Sequence, residues 1–179
     1  DDDDFCQADT MPLPAFEKEL ADMDKGDLPV LFTLGSTWAG WIQQNTGDWN
    51  AIAQLARVRM IMQRIVAINS GYNFGQAHMY LGVLYSLLPQ ALGGEPDKAK
   101  VEFEQAIALS DDKNLMAKVF YAKQYARATD NKELFDSLLQ QVHDADPHAP
   151  GLTLQNVYAQ KLAQQLNGTI HLLKSDVLT

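Results

Sequence analysis

Histidines and carboxylates offer the first chance of chemistry in this chain. His143, Asp144, Asp146 and His148 bring two imidazoles and two carboxylates, all zinc-ligand types, into one short stretch. Their spacing is loose and crosses a helix end and a proline, so they read as solvated loop residues. The run Asp1 to Asp4 lacks the glycine turn and terminal glutamate of an EF-hand loop and reads as a disordered tail. Cys6 is the single cysteine and cannot form a disulfide within the chain. No P-loop, G-x-G-x-x-G or G-x-S-x-G motif is present. The expectation is a non-enzyme with no catalytic residue, no cofactor and no metal.

What remains is chemistry of recognition. His78, one turn before Leu81 on an apolar helix, reads first as a satisfied core histidine and second as a ligand contact. Lys113, Asn114 and Lys118 stand out in an acidic chain, as capping or pairing groups or as partner contacts. Gln155 and Asn156 open the last helix, where they either solvate the surface or recognise a partner. Tyr80, Tyr85, Tyr121 and Tyr125 are candidates to line a binding face. Trp38, Trp41 and Trp49 read as core, and an exposed one would be an anchor, since tryptophan is enriched in binding hot spots.

Charge limits the partners. The 179 residues carry a formal charge of -9, so phosphate is repelled and nucleic acid is excluded as an expected partner. Apolar residues make up 46% and charged residues 21%, an ordinary globular balance. The length fits one domain, and no apolar run reaches the roughly 18 residues of a membrane span.

The elements that must position these side chains are all helical. Periodicity and breakers predict helices over 12–24, 29–45, 49–69, 74–88, 95–110, 113–129, 131–145 and 151–167. Asp111 or Asp112 is expected to cap the sixth, and Gly168 to end the eighth. Residues 1–11 are expected to be a flexible segment, 12–168 one helical repeat domain, and 169–179 a tail or short further element. The 74–88 helix is apolar nearly all round and so needs neighbours on most sides. Short loops make consecutive helices antiparallel.

A repeat lies behind this pattern. Leu81, Gly82 and Tyr85 on one helix, then Ala99, Phe103 and Ala106 on the next, match the small and large positions of a tetratricopeptide (TPR) pair. His78 stands where tryptophan is usual, and Asp111 where proline is. The intervening turn is about five residues longer than usual, which the glycines of LPQALGGEPDK accommodate. A weaker copy places Ala122 and Tyr125 before Phe135, Leu139 and Val142, with Pro147 at its end. Val58, Met62, Ile65 and Ile68 fit the second helix of an earlier copy. The predicted fold is all-α: stacked antiparallel helical hairpins, a TPR-like α-solenoid, with the last helix as cap.

Two longer stretches, residues 78–127 and 144–166, resemble a particular family. The loop residues Leu88, Pro89, Leu92, Gly93, Gly94, Pro96, Lys98 and Ala99, the run Lys113 to Val119, and Pro150 to Leu154 with Asn156 are similar to the T component of tripartite ATP-independent periplasmic (TRAP) transporters. The resemblance implies a periplasmic lipoprotein, anchored to a membrane by a lipidated N-terminus that is expected to lie outside these residues. It implies docking to the solute-binding P subunit and homo-oligomerisation, with a trimer suggested. It also suggests a small apolar ligand. The expected role is a non-catalytic accessory subunit. The binding face is expected on the concave side, from 74–88 and 113–127. The alternative is a generic TPR scaffold that grips an extended peptide through Asn, Lys and Arg side chains.

Overall fold

The computed structural model describes residues 7–88, 90–92 and 94–176. Asp1 to Asp4, Cys6, Pro89 and Gly93 lie outside the described residues. The described chain is helical, with no strand among its residues. It forms two compact units that meet in sequence between Tyr72 and Asn73.

The first unit holds α1 (Leu13–Asp22), α2 (Leu28–Gln44), α3 (Trp49–Ala53) and α4 (Leu55–Ile68). The expected 49–69 helix is broken at Gln54. Its apolar stripe survives the break, with Val58, Ile61, Met62 and Ile65 all buried. α4 packs on both α1 and α2. Gly35 sets how closely α2 approaches, because a Cβ there would lie 2.8 Å from Met62 Cε and 2.9 Å from Ile61 Cγ2. Two arginines one heptad apart on α4 tie down the chain before α2. Arg57 donates to the carbonyl oxygens of Ala8 and Met11, and Arg64 to those of Ala21 and Met23.

The second unit starts with a tight turn. Asn73, Phe74 and Gly75 have φ of 48°, 60° and 67°, all left-handed. A bulky L-residue there costs roughly 1–2 kcal/mol. Gly75 is the residue the site requires, since a Cβ would sit 2.9 Å from Leu109 Cβ. α5 therefore begins at Gln76, two residues later than the periodicity predicts, and runs to Ser86. It packs along α6 (Pro96–Leu109). Gly82 lies flat against Phe103, whose ring atoms would be 2.9 Å from an added Cβ. Ala99, Phe103 and Ala106 are fully buried, as the small-large-small pattern predicts.

The helix predicted over 113–129 is built differently. Asp111 and Asp112 take left-handed φ of 49° and 63°, so they turn the chain rather than cap it. Asn114 is the cap, its Oδ1 accepting from Ala117 N at 3.3 Å. α7 (Leu115–Phe120) then passes into a π-helical segment, Tyr121–Ala126. α8 (Lys132–Asp144) buries Phe135, Leu138, Leu139 and Val142. α9 starts at Thr153 and continues through Gly168 to Asp176, so Gly168 does not end it. One interior glycine costs a helix about 1 kcal/mol, too little by itself to stop it. α9 packs on α7 and α8.

Candidate interaction site

The predicted recognition residues all lie in the second unit, and the structure sorts them into three groups. The first joins α7 to α9. Asn156 is fully buried; its Nδ2 donates to the carbonyl oxygens of Lys113 (2.9 Å) and Pro147 (3.2 Å), and its Oδ1 accepts from Leu115 N (3.1 Å). Gln155 Nε2 donates to Asn114 Oδ1 at 2.7 Å. Asn156 and Asn114 satisfy backbone N–H groups that the short α7 leaves open at its start, and Gln155 braces the Asn114 side chain. Lys113 contributes its carbonyl here, while its ammonium sits 3.6 Å from Asp111.

The second group is ionic. Lys118 is buried, yet its Nζ reaches Asp112 Oδ1 at 2.8 Å and Gln141 Oε1 at 3.0 Å. The left-handed backbone at Asp112 brings that carboxylate within reach. His78 is also buried, its Nδ1 2.5 Å from Glu102 Oε2 on α6. Lys98 stands 5.6 Å from the centre of the Tyr85 ring, a cation–π approach, and pairs with Glu95.

The third group is aromatic. Tyr121 stacks on Phe103, with centroids 5.2 Å apart and planes at 20°. Its hydroxyl donates to Glu104 at 3.2 Å. Burial, and then the Glu104 carboxylate, push the Tyr121 phenol above its ordinary range. Burial likewise raises Tyr80. Tyr125 leans on Tyr121 at 5.3 Å and is only half-buried. It edges a cavity of about 260 Å³ together with Ser86, Leu88, Gln90, Pro96, Ala128 and Thr129.

None of these cavity residues is charged, although the chain as a whole is strongly acidic. Leu87 and Leu88 beside it are 44% and 53% exposed. Of the ten predicted residues, only Tyr125 lines this cavity. Ser86, Leu88, Gln90 and Thr129 were missed, because no spacing along one helix shows that residues 86–90 and 128–129 meet at one cavity. Here the geometry can exclude water from an apolar or weakly polar surface. Among the described residues no three His, Cys, Asp or Glu side chains form a group able to hold a metal. His143 and His148 instead pair singly with Asp144 (3.0 Å) and Asp146 (2.7 Å) in the open.

Among the described residues the fold is all helical, the polar side chains named above brace its own helices, and an uncharged cleft opens at a loop edge. The sequence profile of the TRAP transporter T-component family matches residues 1–171, and the chain belongs to that family. T components are accessory, periplasmic-type subunits that work with the other components of a transport system. No curated protein matches the chain. No helix among the described residues is long and apolar enough to cross a membrane.

Proposed function

We propose that this chain is the non-catalytic periplasmic T subunit that docks the solute-binding P subunit of its TRAP system. The docking face we assign is the edge carrying Leu87, Leu88 and Tyr125. The family match over nearly the whole chain is the observation that carries the reading. The uncharged cleft at Tyr125 supports it, since an apolar or amphipathic ligand could pass from the partner without meeting a charge. In this reading the hairpins α5–α6 and α7–α8 are TPR-like units, stacked with α9 as their cap. A homotrimer held to the membrane by a lipidated N-terminus belongs to the same proposal.

The peptide-clamp alternative has less in its favour. Asn114 and Lys118, the side chains it would use, are turned to Ala117, Gln155, Asp112 and Gln141. Titration calorimetry of the purified chain with the P subunit of its own system tests the proposal. Binding should weaken roughly tenfold in both Leu88→Ser and Tyr125→Ala, as for central contact residues. Absence of binding, or both variants binding like the parent, overturns it.

A further inference from the structure

The first unit presents a surface that its own packing does not explain. From Leu28 to Gln44, α2 carries no charged residue. Leu28, Leu31, Gly35 and Ile42 face the core. On the opposite side Val30, Thr33, Leu34, Thr37 and Trp41 recur at spacings of three and four, which places them on one stripe. Val30 is 64% and Trp41 47% exposed. Pro29, Val30, Thr33, Leu34 and Thr37 line a groove of about 530 Å³.

Gly40 lies on the same stripe. Unlike Gly35, it has nothing within 4 Å of an added Cβ and no left-handed backbone. Glycine inside a helix is less stable than alanine there, and nothing in the chain's own fold calls for it. A residue this small on an open helix face suits a partner backbone that comes close.

Charge selects the kind of partner. Asp24 and Asp27 precede α2, with Lys25 between them, and Asp48 follows it; no other charge occurs from 28 to 56. An uncharged stripe is thus bounded by a net acidic group at either end. A second copy would bring acid against acid whether its α2 ran parallel or antiparallel, and an anionic membrane would be repelled in the same way. A helix with basic ends would be attracted at both.

We propose that the outer face of α2 docks one helix of a partner protein. That helix carries an apolar stripe about 25 Å long, the span of 17 residues at 1.5 Å each, with basic side chains at both ends. This surface does not depend on the P-subunit reading.

The test uses the full chain and three labelled synthetic helices in fluorescence anisotropy: a leucine–alanine stripe with arginine ends, the same stripe with glutamate ends, and a scrambled stripe with arginine ends. The arginine-ended helix should bind, and either of the other two at least tenfold more weakly. Leu34→Glu should weaken binding at least tenfold. Gly40→Leu should weaken it about fivefold in protein whose circular dichroism and melting match the parent, which keeps the test valid should Leu34→Glu fail to fold. Equal binding of the glutamate-ended or scrambled helix overturns the proposal. So does self-association in sedimentation velocity, or binding to phosphatidylcholine vesicles, that Leu34→Glu abolishes.

Discussion

Among the described helices longer than two turns, α2 and α5 are the two without Asp, Glu, Lys or Arg, and each approaches its partner helix through a glycine. Gly35 meets Ile61 and Met62 of α4, and Gly82 meets Phe103 of α6. Their outer sides differ. α5 packs against α6, α7 and the π-helical segment, and buries six of its eleven residues. α2 packs against α3 and α4, and buries four of seventeen. Apolar character thus serves two ends in one chain. In α5 it supplies a helix surrounded by its own fold; in α2 it leaves a face for something else.

The largest effect should come from the plug under α5. Phe103→Ala should cost about 3–5 kcal/mol in urea unfolding, because the ring fills the space over Gly82 and stacks on Tyr121. Val30→Ala, on the open face of α2 and 64% exposed, should stay within about 0.5 kcal/mol of the parent. Comparable costs would erase the contrast between the helices. Asn156→Ala should follow at about 3 kcal/mol, since it strands Leu115 N and the Lys113 carbonyl in a buried joint. The glycines give the sharpest comparison. Gly82→Ala should destabilise by about 1–3 kcal/mol through overpacking. Gly40→Ala should stabilise by about 0.5–1 kcal/mol, measured as a raised midpoint.

The smallest effects are tied to pH. The folded chain holds the Tyr121 proton that an unfolded chain gives up near 10. Stability from this site is therefore complete below that pH and falls as the pH climbs past it. Thermal melts in alkali should show a shallower decline in Tyr121→Phe than in the parent. Asp146 runs the other way. Hydrogen bonds from the His148 backbone and ring hold its carboxyl below the ordinary 3.8, so its contribution is present above that pH and fades in acid. Asp146→Asn should reduce the acid-side slope slightly.

Much of the helical pattern was legible because it rests on local rules. The stripes on α4, α6 and α8 follow the 3.6-residue period, and the Gly82–Phe103 fit follows from alternating small and large residues. Local rules failed where a side chain answered to something distant. Asp111 looked like a cap, but Asn114 holds that place while the aspartates turn left-handed. Gly168 looked like a stop, yet α9 runs past it. The tryptophans were expected in the core, and Trp49 is 85% exposed. At the candidate site, Tyr125 was recognisable as an aromatic at a repeat position. Ser86, Leu88 and Thr129 were not, since only the return of the chain brings them to one cavity.

The sequence by itself determined that this chain is helical, where most of its helices lie, and that it lacks the motifs of common catalysts, because turn chemistry and apolar periodicity act over a few residues. Tertiary structure decided which apolar helix is covered and which is bare. It also decided which polar side chains are already engaged, since Lys118, His78 and Asn156 find partners on other segments of the chain. Burial and pairing depend on contacts between segments far apart in the chain, and no spacing along a single helix encodes them.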